Sequence, residues 1–262
     1  MSPLIFLPLL SLGIVCIIMF GAWRWATSIN NYSIVDVFWS FNFAIIALFI
    51  FFTAPGNETR KIIVCILAFL WSLRLGSHLR KRIFSQLDEE EGRYKQLRKE
   101  WQKNIHLKFF FFFQMQAFSN VWLAFPFFII ACNTAAEICW VEYFGAGLWL
   151  SCIIGEAIAD QQLDQFKKDP ANKGKVCDKG FWNYSRHPNY FFQLMIWIGV
   201  FIFAVCSPYG WLAIISPLTI AYLLFKVTGI PMTEEQSLRS KGEQYKAYQR
   251  TTSVFIPWFK KK

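Results

Sequence analysis

Apolar runs set the frame of this chain. Seven mostly apolar stretches, at 3–25, 34–53, 62–78, 109–131, 143–163, 190–206 and 211–228, alternate with polar segments. A helix needs about 20 such residues to cross the hydrocarbon layer of a membrane. The pattern therefore predicts an all-α fold, a polytopic membrane helical bundle of about seven transmembrane helices, in one integral membrane domain spanning 1–262. The polar segments differ in charge. Residues 80–108 hold nine Lys or Arg, 164–189 hold six and the tail after Thr228 holds seven, whereas 132–141 and 207–210 hold none and 54–61 hold two. With seven spans the basic segments share one side, which the positive-inside rule makes cytoplasmic, with the N-terminus outside.

Composition sharpens this picture. The chain is 55% hydrophobic, 19% aromatic and 17% charged, where a soluble domain carries about a quarter charged residues. The net charge of +10 raises nucleic acid as a partner, but such proteins gather basic residues on one soluble face. Here they fall between apolar runs, so no nucleic acid is expected. The first run lacks a basic leader and a small-residue cleavage site, and is read as retained. Cys16, Cys65, Cys132, Cys139, Cys152 and Cys206 lie in or beside apolar runs, Cys177 in a loop, and no C-x-x-C pair occurs. Neither disulfides nor a metal site are expected. In the long basic segment, Tyr94, Leu97 and Trp101 recur at helical spacing among charges, the pattern of a solvated surface helix anchored by Trp101.

Ionisable residues inside spans are costly unless they find partners or line a cavity. Asp36 opens the second run, four residues after Tyr32, with Trp39 and Ser40 on the same face; Asp36 is either a helix-capping acid or a proton donor. Arg74, His78 and Arg82 form a stripe on the third run. Glu156, Asp160, Asp164 and Lys167 form another, running out of the fifth. The richest stretch is 170–193, PANKGKVCDKGFWNYSRHPNYFFQ. Its first half is a basic, Gly-punctuated loop containing Lys173, Lys175 and Lys179. Arg186 and His187 then precede Pro188, which suits the first turn of a helix. Free N–H groups there bind anions, and Arg186 is suited to grip one.

GFWNYSRHPNY, set between ADQQLDQFK and a tail reading GEQYKAYQRTTSVFIPW, resembles the steroid 5-alpha-reductase C-terminal family and its uncharacterised bacterial relatives. The resemblance covers nearly the whole chain and is most specific from Gly155 to Trp258. It implies a membrane reductase that takes NADPH from the cytosolic side and reduces an activated C=C bond in a steroid-like or other lipid, with the cofactor held in 143–262. By the same resemblance Glu156, Asp160, Lys167, Lys175, Arg186, His187, Asn189 and Tyr190 face the cofactor, and Asp36 with Tyr32 serves the substrate end. Where the steroid reductases use a Glu and a Tyr, this chain offers Asp36 and Trp71, and Gln193 stands where a Glu is usual.

The RHP-x-Y signature followed by Glu234, Glu235, Gly242, Tyr245 and Tyr248 also resembles isoprenylcysteine and phospholipid methyltransferases. That resemblance implies S-adenosylmethionine held by Arg186 and His187, with Glu235 toward the lipid. A third reading is a lipid-binding protein without chemistry, motivated by Trp71 and Gln193. The family look-alikes imply a bacterial inner membrane; no lipidation signal is present.

Overall fold

The computed structural model describes residues 2–260 and builds them from helices, without a strand among the described residues. The helices are α1 (Pro3–Ser28), α2 (Val35–Thr53), α3 (Glu58–Phe84), α4 (Gly92–Glu100), α5 (Ile105–Leu123), α6 (Phe125–Ala131), α7 (Trp140–Lys168), α8 (Pro188–Ala204), α9 (Ile215–Tyr222) and α10 (Ile230–Thr251). Among the described residues six helical segments are long and apolar enough to cross a membrane, and α8, with 17 residues, is a shorter apolar helix at the sixth expected run. The described residues divide into two compact units. One runs to Cys139 and includes Ala204–Gly210; the other comprises Trp140–Phe203 and the chain from Trp211 onward.

In the first unit α1 buries only a narrow stripe, Leu7, Ser11, Val15, Met19, Ala22 and Ala26, spaced three or four residues apart. The rest of its surface, with Ile5, Phe6, Leu9, Ile17 and Phe20, is exposed. Water would penalise such a face, and lipid does not. Helices α2 and α3 pack closely because Gly76 is bare: a Cβ there would stand 2.8 Å from the Phe41 ring. Trp71 is fully buried and packs edge-on against Phe43, 4.9 Å between centroids. A polar seam links α2 to α5, with Asn42 Nδ2 donating to Asn120 Oδ1 (2.9 Å) and Asn120 Nδ2 to the Trp39 carbonyl (2.8 Å). The fourth apolar run bends at Ala124, because Pro126 has no N–H and its ring crowds the preceding turn.

Loops of this unit meet as the charge pattern groups them. Residues 54–61 meet 132–141, through Gly56 N to the Ala131 carbonyl and Asn57 N to the Asn133 carbonyl. The Arg60 guanidinium donates to the carbonyls of Ala135 and Glu137, and Asn133 Nδ2 reaches Ser207 Oγ at 3.1 Å. At the same loops Cys139 and Cys206 form a disulfide across 67 residues. This corrects the expectation of independent thiols, since spacing along the chain does not reveal which loops meet. Residues 30–36 meet the long basic segment instead. There α4 is anchored by Tyr94, fully buried, while Trp101 is only half-buried. The buried anchor is a phenol because it has a carboxylate partner to satisfy.

In the second unit α7 and α8 cross at small residues. A Cβ on Gly199 would lie 2.8 Å from the Trp149 nitrogen, and Gly145 faces the Phe203 backbone. This close approach is how membrane helices gain contact where lipid offers no hydrophobic drive. The seventh apolar run forms a 3-10 turn (Gly210–Ile214), α9 and a π-helical turn (Leu223–Val227) before α10 begins.

Helix α10 is folded on itself. Gly242 has φ 51° and ψ −126°, values of the first central position of a type II′ turn, which glycine supplies. Gln249 Nε2 consequently donates to Glu234 Oε2 at 2.9 Å across 15 residues, whereas a straight helix would separate them by about 22 Å. The tail returns beside the basic loop through a single parallel bridge between Ser185 and Ser253.

Candidate functional site

The polar core of the second unit is built on Glu234, in the first arm of α10. Its carboxylate takes Arg186 Nε at 2.6 Å and Gln249 Nε2 at 2.9 Å, and lies 3.2 Å from His187 Nε2. Arg186 Nη1 also donates to the carbonyls of Gln249 (3.0 Å) and Thr252 (2.7 Å). Arg186 is thereby committed inside the protein, with its Nη2 the nitrogen left for anything else among the described residues. His187 is 2% exposed, and its backbone N–H is capped by Ser185 Oγ, which donates in turn to the Phe255 carbonyl. Tyr248 donates to the carbonyls of Trp182 and Ser185, fastening the second arm of α10 to the loop. The RHP stretch is therefore shaped by the C-terminal hairpin.

Asn189, in the first turn of α8, donates from Nδ2 to Asp160 Oδ1 (3.1 Å), and its Oδ1 accepts the Tyr190 N–H (3.0 Å). Both ends of the amide are fixed. Tyr190 stacks on His187, 5.4 Å between centroids and 5° from parallel, and its hydroxyl lies 3.0 Å from Thr233 Oγ1. Asp160, Asn189, Tyr190, His187, Arg186 and Glu234 thus form one connected neighbourhood. On α7 the acidic stripe is graded: Glu156 and Asp160 are buried, Asp164 half-buried and Lys167 exposed.

The loop between α7 and α8 is closed by Trp182 Nε1 donating to the Ala159 carbonyl (2.9 Å) and by Phe181 N–H donating to Gln162 Oε1 (2.8 Å). Gly180, at φ 58°, lies where any Cβ would collide with the Gln162 side chain. Lys167 and Lys168 at the end of α7 and Lys173, Lys175 and Lys179 in the loop are exposed, none of them in an ion pair among the described residues. By contrast Arg93, Lys95 and Arg98 of α4 each hold a carboxylate. Cys177 is buried in this loop, and burial pushes its thiol above the usual range against a backbone hydrogen bond from Lys179.

Asp36 and Tyr32 lie in the first unit and do not bond each other. Asp36 Oδ1 takes the Tyr94 hydroxyl (2.8 Å), and Arg93 Nη2 reaches both carboxylate oxygens at 2.8 and 2.9 Å. Burial and the Asp36 charge hold the Tyr94 phenol well above its ordinary range. Burial opposes the Arg93 charge, but Asp36 and Tyr94 hold the guanidinium above its ordinary value. Tyr32 stacks on Phe109, 3.7 Å between centroids, with its hydroxyl 2.8 Å from His106 Nδ1. Arg82 pairs with Glu91 at 2.8 Å.

The sequence pattern names Tyr94 only as part of a surface helix and Glu234 only within the methyltransferase-like signature, and it does not single out Gln249; Glu235, which that resemblance sets toward the lipid, is exposed and pairs with Arg239 at 2.5 Å. The readable signal was Gly242, a helix breaker in a polar helical run.

No solved structure matches the chain. An uncharacterised protein of Schizosaccharomyces pombe is 25% identical over 280 residues, an alignment covering 94% of this chain and 78% of that protein. A family described as Protein of unknown function (DUF1295) matches residues 22–252, nearly the full length of the helical assembly, and the chain belongs to that family.

Proposed function

We propose that the protein is a membrane-embedded, NADPH-dependent reductase of an activated C=C bond in a steroid-like or other lipid. The observation that carries this reading is the set of exposed lysines, without ion-pair partners among the described residues, at the end of α7 and in the loop that leads to the Asp160–Asn189–Tyr190 cluster. Unneutralised ammonium groups around one loop attract a polyanion. NADPH, with a pyrophosphate and a further phosphate, is such a ligand, whereas S-adenosylmethionine carries a sulfonium and an ammonium against one carboxylate. The likeness of GFWNYSRHPNY to the steroid 5-alpha-reductase C-terminal family points the same way.

The nicotinamide, when bound, supplies the hydride, and the protein's part is orientation and proton supply. Lys167, Lys173, Lys175 and Lys179 offer charge at the mouth. Asn189 and Asp160, mutually bonded, offer a fixed polar surface. The Tyr190 hydroxyl, partnered by Thr233 and backed by His187, holds a proton at its phenolic oxygen. In this reading the loop faces the cytoplasm, with the N-terminus outside a bacterial inner membrane.

The test is titration of NADPH, NADH and S-adenosylmethionine against the detergent-purified protein. Selective NADPH binding is expected. Selective S-adenosylmethionine binding would replace the reductase with a lipid methyltransferase. Binding of neither would leave a lipid-binding protein without chemistry.

A further inference from the structure

The residues that follow α10, 252–260, form a non-helical tail bonded to the stretch just before α8. Arg186 N–H donates to the Ser253 carbonyl (2.8 Å), Ser185 Oγ to the Phe255 carbonyl (2.7 Å), and Trp258 N–H to the Tyr184 carbonyl (2.9 Å). Pro257 has no N–H to satisfy. So held, the tail sorts its side chains. Phe255 turns inward, 9% exposed, with its ring 5.7 Å from Phe191 in the first turn of α8 and 4.7 Å from Phe225 in the π-helical turn. Ile256, Trp258 and Phe259 turn outward and are 61%, 68% and 74% exposed. Phe259 meets Tyr184 edge-on at 6.0 Å, and Tyr184 is itself exposed. Lys260, by contrast, lies 3.6 Å from Asp178 of the basic loop.

The contacts of Phe255 fix the depth of the tail. Phe191 lies at the start of the sixth apolar run and Phe225 near the end of the seventh, so Phe255 sits where both runs give way to polar chain. Leu218, Tyr222 and Phe225, four and three residues apart on the seventh run, are exposed, and in a membrane bundle such a face meets lipid. The Phe255 ring joins Phe225, and Ile256, Trp258 and Phe259 carry the apolar surface past the last span. Aromatic side chains at that depth belong to the headgroup layer. Non-helical backbone is too costly in hydrocarbon, but at the headgroup boundary water completes the bonds not made to 184–186. We infer that the tail lies in the headgroup–acyl boundary of the bilayer, with Ile256, Trp258 and Phe259 inserted among phospholipid chains. The partner is the lipid surface itself, and the inference does not depend on the reductase reading. Because the tail is bonded to 184–186, it fixes the Arg186–Glu234 core against the membrane plane.

The experiment places the full-length protein in phosphatidylcholine nanodiscs as wild type, as Trp258→Phe, and as Trp258→Phe combined with Phe259→Trp. Subtracting the Trp258→Phe emission from that of wild type isolates Trp258, and the combined variant reports the neighbouring position if Trp258 is dim. Each change exchanges one aromatic ring for another, so all three proteins should melt alike. Phosphatidylcholine brominated high on the acyl chain should remove most of either signal. Lipid brominated near the chain end should remove less, and aqueous acrylamide should remove little. Quenching by acrylamide without quenching by brominated lipid would put the tail in water and overturn the inference. Stronger quenching from the chain end would overturn the boundary depth. Shielding from all three quenchers would overturn the lipid assignment and leave protein, a second copy or another chain, as the cover of the tail.

Discussion

At the scale of single residues, two carboxylates stand out by how they are held. Asp36 accepts from a guanidinium and a phenol, so its carboxylate is committed to tying α4 to the start of α2. Asp36→Asn should lower stability by about 1–2 kcal/mol, since the pair is partly exposed, and should leave turnover of the proposed reaction intact. Loss of turnover at unchanged thermal stability would restore it as a proton donor. The same network makes an alkaline prediction. Tyr94 titrates well above its ordinary value of 10.0 in the folded chain. The stability it contributes is therefore present below about pH 10 and is lost as pH rises further, because the unfolded chain ionises first. The difference in melting temperature between wild type and Tyr94→Phe should be constant to about pH 10 and narrow above it. Glu234 is the second carboxylate. Glu234→Gln removes the charge that faces Arg186, whose side chain is 10% exposed, and should cost about 3 kcal/mol. Glu235→Gln, on a side chain 63% exposed, should be nearly silent in the same melting experiment.

At the scale of elements, the apolar helices and the surface helix α4 were legible, and the folding of α10 on itself was not. Each predicted run became helix because burying peptide groups in lipid leaves no other local solution, and the hydropathy pattern reports that constraint directly. The second arm of α10 and the loop before α8 are held by side chains meeting carbonyls far along the chain, as Arg186 meets Thr252 and Tyr248 meets Ser185. Composition does not encode such partners. The run 170–193 was readable as a candidate site because it concentrates charge and glycine. That Arg186 turns inward was not, since an arginine before a helix suits an anion or a carboxylate equally. Gly242 is the element-level hinge, and its Cβ direction is open, with nothing within 4 Å. Gly242→Ala therefore carries only the backbone penalty, about 1–3 kcal/mol. Calorimetry should show a lowered melting temperature. A variant as stable as wild type would mean that the turn is not strained by a side chain.

At the scale of the whole molecule, sidedness is the property on which the functional reading depends. The charge bias assigns 54–61, 132–141 and 207–210 to one side, and these loops are joined by hydrogen bonds and by the Cys139–Cys206 disulfide. Disulfides persist where the compartment is oxidising, and in the proposed topology these lysine-poor loops lie on the outer face. The relative grouping of these loops was legible in the sequence; the covalent bond between them was not, because Cys139 and Cys206 lie beside or at the end of apolar runs, where a thiol reads as a small apolar side chain. Intact cells treated with a membrane-impermeant reductant and then a membrane-impermeant maleimide should label Cys139 and Cys206, and a reporter fused after Lys262 should read as cytoplasmic. Labelling that requires permeabilisation would invert the bundle. The lysine loop would then face away from the cytosolic pool of reduced dinucleotide, and its charge would have to be explained by a different anion.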